Sequence, residues 1–356
     1  MLFCAPFYKK ILSTIPTAVI VFDNKGKVRF TNTAFQRYFP HIGKRQMKKT
    51  FTLPLNANRL KGLAQSVFES KKAQAEEVAL LVYTDENSEE RREVSLRMHA
   101  LPLDKKYCLG LVESVYEQEL AKELTSAHNI QQRLLPVGKE AGGVPYAYMY
   151  IPCREIGGDL PDVYELNFGG GISNTFGVLA DVSGKGLAAG MLSSFVKAGF
   201  DRSEPSPAKA ITRLNAKFKE LNLDEKAYIT VAAVRIDSTA QKIYYSVAGH
   251  NAPILLRSGQ NVSEIEMSAP PVSTWFDEFT YEDGQIEYNS RDILVLLTDG
   301  VTESRNVEGE QFGIERVENI LLQSTSANQF IERLQTALKD FCGVFDDDLT
   351  EIAFDL

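Results

Sequence analysis

The first hundred residues alternate between short apolar runs and polar turns. In "TAVIVFDNKGKVRFTNTAF" an apolar run meets the turn Asp23-Asn24-Lys25-Gly26, and a second run follows with Val28 and Phe30 alternating against Lys27 and Arg29. Asn-x-Gly between two such runs predicts a hairpin. "EVALLVYTDENSEERREVSLRMHALPL" repeats strand, polar turn and strand, and "KYCLGLVESV" supplies one more. Helical spacing marks "NTAFQRYF" and "NANRLKGLAQSVFESKK". Residues 1–112 therefore read as an α+β domain.

Residues 113–136 change period. In "YEQELAKELTSAHNIQQRLLP" the residues Leu120, Leu124, Ala127, Ile130 (or Gln131) and Leu134 recur at three- and four-residue spacing, the mark of one helical face. Pro136 stops the helix, because proline disfavours helical backbone in the residue before it. Three heptads admit a two-stranded coiled coil, and hence a homodimer; a single helix packed on its own domain fits equally.

From residue 137 to 356 the chain is rich in near-continuous Val, Ile and Leu runs, expected for strands covered on both faces. The candidates are "TFGVLADVS", "AYITVAAVRID", "KIYYSVAGH", "PILLRSG", "DILVLLTDG" and "LTEIAFDL". Helices are expected at "GLAAGMLSSFVKAGF", at "SPAKAITRLNAKFKEL", capped by Ser206 with Pro207 in first position, and at "TSANQFIERLQTALKDF".

Four aspartates of this last region stand at strand ends. Asp159 follows a Gly-Gly turn in "REIGGDLPDVYEL", Asp181 ends "FGVLAD", Asp299 ends "DILVLLTD", and Asp347 precedes the final strand in "DDDLTEIAF". Any one alone is explained by turn chemistry. Four together would meet at a rim of a layered fold and repel unless a cation sat among them. Oxygen ligands without a His or Cys cluster suit Mg²⁺ or Mn²⁺. Two such ions about 4 Å apart can activate a water and clamp an in-line displacement at phosphorus.

Composition restricts the choice further. Apolar residues make up 44% and charged residues 24% of the 356, as in ordinary globular chains, and the net charge of −8 argues against a nucleic-acid binder. Cys4, Cys108, Cys153 and Cys342 lie far apart without a CxxC pair, the pattern of reduced thiols in a cytoplasmic protein. The apolar start is broken by Lys9, Lys10 and prolines, so no membrane span or signal peptide is expected.

Two resemblances follow from these motifs. The stretch from "ILSTIP" through "AVIVFD" to "FTNTAFQRYF", with the later strands, resembles a PAS sensory domain. "AHNIQQRLLP", "PCREIGGDLPDVYEL", "LADVSGKGLAAGMLSS", "AGHNAPILL", "LLTDGVTESRNVEGEQFG" and "DDLTEIAF", in that order, resemble the SpoIIE-like branch of the bacterial PPM-type protein phosphatases. The implied architecture is a PAS-like domain, a linker helix and a C-terminal αββα sandwich with two metals at one edge.

The resemblance also implies roles. Asp181 would bridge two Mn²⁺ or Mg²⁺ ions and Val182 would offer its carbonyl. Asp159 would hold one ion, and Asp299 with Asp347 the other, Asp348 being an adjacent alternative. Water would attack a phosphoserine or phosphothreonine without a covalent phosphoenzyme. Arg154 is a candidate phosphate donor, while His250 belongs to the pattern without a derivable role. The substrate implied is a phosphorylated STAS-domain protein of a partner-switching pathway, with the sensory domain in control. This chain departs from the pattern at Lys185, where a histidine is frequent, and at Leu160 and Pro161, where aromatics are; Pro161 is expected to stiffen the loop after Asp159. The alternatives are an inactive phosphoprotein-binding module and, on the Gly-Gly-Asp triplet alone, a nucleotide cyclase, which Leu160 and Pro161 disfavour.

Overall fold

The computed structural model describes residues 6–38, 57–70, 72, 74–83, 91–103, 106–169, 172–276, 279–343 and 345–356. The backbone divides into two compact units, residues 1–123 and 124–356.

The first unit holds α1 (Pro6–Thr14), β1 (Ala18–Asp23), β2 (Val28–Thr31), α2 (Thr33–Tyr38), α3 (Ala57–Ser70), β3 (Gln74–Tyr83), β4 (Arg91–Pro102) and β5 (Tyr107–Ser114). Its antiparallel sheet runs in the order β2-β1-β5-β4-β3. The hairpin forms where it is expected because Asp23 caps its own turn. The carboxylate accepts the backbone N–H groups of Lys25 and Lys27 and pairs with Arg29 at 2.6 Å. Buried Asn32 then fastens the chain after β2, accepting from Val19 N and Phe35 N and donating to the carbonyls of Ile15 and Thr17. Phe22, Phe35, Val67, Met98 and Cys108 fill the core between sheet and helices.

The boundary between units falls inside α4 (Val115–Gln132), so residues 124–132 count with the second unit. The choice left open in the helical stripe resolves to Gln131, which is 3% exposed, while Ile130 is 64% exposed.

The second unit continues with β6 (Glu140–Ala141), β7 (Val144–Ile151), β8 (Leu160–Gly169), β9 (Ile172–Val182), α5 (Leu187–Gly199), α6 (Pro207–Glu220), β10 (Ile229–Asp237), β11 (Lys242–Ala248), β12 (Ile254–Ser258), β13 (Asn261–Ile265), β14 (Gly284–Glu287), β15 (Ile293–Leu297), α7 (Asp299–Glu303), α8 (Ile314–Leu322), α9 (Ala327–Phe341) and β16 (Leu349–Asp355). Two antiparallel sheets form, in the orders β14-β11-β10-β9-β8 and β13-β12-β15-β16-β7-β6. Leu179, Val234 and Ile243 of one sheet pack between the layers with Leu294, Leu296, Ile352 and Phe354 of the other. Helices α5 and α6 cover the first sheet and α8 and α9 the second, so the unit is an αββα sandwich. Each fully buried Leu, Ile or Phe contributes about 1.5–3 kcal/mol, so the apolar layer outweighs the polar contacts at the rim. As expected, Ser206 caps α6 by accepting from Lys209 N, with Pro207 first in the helix.

The segment after Asp159 corrects an expectation. It is not a loop stiffened by Pro161 but strand β8, paired along its length with β9. Proline is tolerated because β8 is an edge strand, where its missing N–H breaks no ladder. Three cysteines, Cys108, Cys153 and Cys342, are free thiols; Cys4 lies outside the described residues.

Candidate functional site

Strand ends bring the four aspartates to one rim, two from each sheet. Asp159 immediately precedes β8 and Asp181 is the last residue but one of β9. Asp299 opens α7 just beyond β15, and Asp347 stands two residues before β16. The groups feel one another. Burial and then Asp181 push the Asp159 carboxyl well above the usual carboxylate range. Burial and then Asp299 push Asp181 up to about 6, although a hydrogen bond shared with Asp159 works the other way. Burial, Glu303 and Asp347 raise Asp299.

Asp159 is held across the sandwich. Its side chain is 2% exposed, and its Oδ2 accepts from Thr298 Oγ1 at 3.0 Å and from Thr350 Oγ1 at 2.5 Å. Both threonines belong to the opposite sheet, Thr298 at the end of β15 and Thr350 on β16. A buried carboxylate needs such donors, since without them it carries the full cost of desolvation.

Asp347 and Asp348 separate cleanly. Asp348 accepts three backbone N–H groups: Cys153 at 2.8 Å, Gly158 at 2.6 Å and Asp159 at 3.4 Å. Its oxygens are committed to holding the loop. Asp347 has a side chain 55% exposed and is engaged by its neighbour's N–H and by Lys185, at 3.0 Å from Asp347 Oδ2. Asp347 is thus the more exposed of the two and, unlike Asp348, holds no loop backbone across the fold.

The Gly-Gly turn is dictated by space. A Cβ at Gly157 would strike Tyr150 Oη and stand 2.7 Å from Asp348 Oδ2, and one at Gly158 would stand 3.0 Å from the Val182 carbonyl. Likewise a Cβ at Gly300 would meet the Asp348 carbonyl. The loop can approach both the last strand and Val182 only without side chains. The Val182 carbonyl faces Gly158 of this loop.

Gln131, at the end of α4, was invisible as a functional residue in the sequence. Its Nε2 donates to the Gly157 carbonyl at 2.8 Å and to Ser193 Oγ at 3.1 Å. Its Oε1 accepts from Tyr150 Oη at 3.0 Å and from Gly157 N at 3.2 Å. One amide thus ties helices α4 and α5 and strand β7 to the loop that carries Asp159. The helical stripe offered Gln131 as an alternative to Ile130, but its partners are set only by the fold.

The other candidates fall as follows. Arg154 is exposed, its guanidinium beside Gly186, with no ion-pair partner among the described residues. His250 Nε2 contacts the Leu297 carbonyl at 2.9 Å, and burial of the ring pulls its pKa down to about 4. That contact ties the ring to the end of β15.

The donor set is all oxygen, and its carboxyls drive one another toward protonation; a divalent cation relieves that strain, so the residues fit one. Among the described residues no three side chains already stand in ligating arrangement.

Comparison with known proteins gives the same direction. A family model described as stage II sporulation protein E (SpoIIE) matches residues 173–356, just over half of the chain. Phosphoserine phosphatase RsbU of Bacillus subtilis is 24% identical over 201 residues, 54% of this chain and 57% of the relative. The chain thus spans little more than half the length of that relative. Among solved structures, the SiaA-PP2C domain of Pseudomonas aeruginosa superimposes with a TM-score of 0.58 at 16% identity, covering 68% of this chain and 99% of that one. The PP2C phosphatase domain of SpoIIE from Bacillus subtilis, solved with a fragment of its regulatory domain, gives 0.51 at 16%, covering 80% and 78%. At these identities the structures show a shared fold.

Proposed function

The chain belongs to the SpoIIE family, and from that premise we propose that its second unit is a metal-dependent protein phosphatase hydrolysing phosphoserine or phosphothreonine. The observation that carries the proposal is the meeting of Asp159, Asp181, Asp299 and Asp347 at one rim of the sandwich, with the Val182 carbonyl beside them.

In this reading Asp181, with the Val182 carbonyl beside it, Asp159, Asp299 and Asp347 would hold two Mn²⁺ or Mg²⁺ ions, Asp159 belonging to one and Asp299 with Asp347 to the other. When bound, such ions lower the pKa of water and take up charge on phosphoryl oxygens. The protein's own part is positional. Thr298 and Thr350 fix the Asp159 carboxylate, Asp348 fixes the Gly-Gly loop, and the exposed guanidinium of Arg154 would take a phosphate by a bidentate contact.

The substrate proposed is a phosphorylated STAS-domain protein in a partner-switching pathway. Similarity to a phosphatase described as acting on phosphoserine supports it. The first unit is read as a PAS-like sensory domain, supported by the strand order β2-β1-β5-β4-β3 with helices between β2 and β3. Control would pass along α4 to Gln131 and the Gly-Gly loop, and pairing of that helix and unit between copies would give a homodimer. A cytoplasmic setting belongs to the same proposal; among the described residues no helix is long and apolar enough to cross a membrane.

The test is hydrolysis of an aryl phosphate by the full chain with Mn²⁺, Mg²⁺ or chelator, beside Asp181→Asn. Turnover that needs metal and disappears in the variant is expected. Tight binding of Mn²⁺ and of a phosphoprotein without any turnover would replace the enzyme by a phosphoprotein-binding module.

A further inference from the structure

The loop between β9 and α5 places one cation inside the acidic rim. Lys185 Nζ lies 3.0 Å from Asp347 Oδ2, and the same ammonium donates to the carbonyl of Asp346. Asp347 has no other charged partner among the described residues, whereas Asp348 beside it is occupied by three backbone donors. The ammonium therefore sits on the more exposed of the two adjacent carboxylates. Lysine and a divalent ion cannot both take that oxygen, since a Coulomb repulsion between them would oppose the attraction each gains.

We propose that Lys185 is an internal counter-ion of Asp347 that an incoming divalent cation must displace, so that metal uptake is an exchange at this carboxylate. The inference rests on the metal-site reading above and adds what that site must give up to fill. The contact is partly exposed, with side-chain exposures of 34% for Lys185 and 55% for Asp347. A pair of that kind is weak, which keeps the exchange reversible at ordinary ion concentrations. Release also frees a lysine at the mouth of the site on the loop that follows Asp181.

The experiment titrates the full-length protein and Lys185→Met with MnCl2 by calorimetry, and in parallel measures acetylation of Lys185 by an amine-reactive ester, read by peptide mass spectrometry. Lys185→Met is expected to bind Mn²⁺ roughly two- to five-fold more tightly, the weight of one partly exposed ion pair. Lys185→Arg should bind as the parent does. Acetylation of Lys185 in the parent should quicken when Mn²⁺ is added. If the parent binds Mn²⁺ but Lys185→Met binds it no more tightly, or Lys185 acetylation does not quicken, the exchange is wrong while the metal site stands. If neither protein takes up Mn²⁺ at millimolar concentration, the metal-site reading falls and the exchange with it.

Discussion

The carboxylate of Asp348 accepts the backbone N–H of Gly158 at 2.6 Å across 190 residues of chain. That bond, with those to Cys153 and Asp159, makes Asp348 the anchor of the loop, while Asp347 beside it is more than half exposed and pairs with Lys185. Asp348→Ala orphans buried donors, each costing about 1–3 kcal/mol, so the variant should lose about 2–4 kcal/mol in urea unfolding. Asp347→Ala should stay within about 1 kcal/mol of the parent, as expected for an exposed residue, yet lose at least tenfold in Mn²⁺ affinity. Equal stability losses in the two variants would refute the division of labour.

Thr298→Val and Thr350→Val keep side-chain shape and remove the hydroxyls that hold Asp159. Hydrogen bonds to a charged group are worth about 1.5–3 kcal/mol each. The two act on one oxygen, so the double variant should cost more than either single but not their simple sum. Urea midpoints and Mn²⁺ titration of the three proteins measure it, and a double variant no worse than the singles would sink the account.

Gln131→Leu leaves both polar groups of Gly157 and the Tyr150 hydroxyl without their partner. We expect a stability loss of about 1–3 kcal/mol and a larger fall in kcat than in substrate affinity, because the Asp159 loop loosens. Ile130→Ala, one residue away and exposed, should leave both unchanged. A proline at Ala127 should disconnect the first unit's control from catalysis, and unchanged regulation in that variant would argue against transmission through α4.

His250 and Glu351 give stability opposite slopes with pH. His250 titrates near 4 when folded and near 6.5 when unfolded. The unfolded chain binds the extra proton between those values, so stability falls as pH drops from 6.5 toward 4, by at most about 3 kcal/mol, and His250→Gln should flatten that limb. Glu351 is fully buried, neither carboxylate oxygen has a hydrogen-bond partner among the described residues, and burial raises its pKa well above 4.5. Here the folded state holds the proton more tightly, so stability falls as pH rises above 4.5. Glu351→Leu should raise stability at pH 7 by about 1–3 kcal/mol, read from thermal unfolding across pH 4–8.

What the sequence showed was what local pattern controls. Apolar runs located β9, β10, β11, β12, β15 and β16, Ser206-Pro207 located the start of α6, and the four aspartates stood out by their place at strand ends. Strand β8 was hidden because Pro161 made the segment after Asp159 read as a stiffened loop. An edge position tolerates the proline, and Lys197 at 2.6 Å with Arg202 at 2.8 Å neutralises buried Asp162. Asp347 and Asp348 were indistinguishable by spacing, since backbone donors nearly two hundred residues away tell them apart. Gln131 was hidden for the same reason, its partners lying 26 and 62 residues further along.

Strand β16 is inserted between β15 and β7, so β7 has no long-strand partner until β16 exists. It is also the strand that delivers Thr350, and just before it stand Asp347 and Asp348. A ribosome therefore releases β7, the Gly-Gly loop and Asp181 long before the segment that completes their rim has left the exit tunnel. During that interval the growing chain carries half a site and an unpaired strand, a slow long-range closure. The acidic rim can thus close only once β16 has emerged, because Asp347, Asp348 and Thr350 come with or just before that strand.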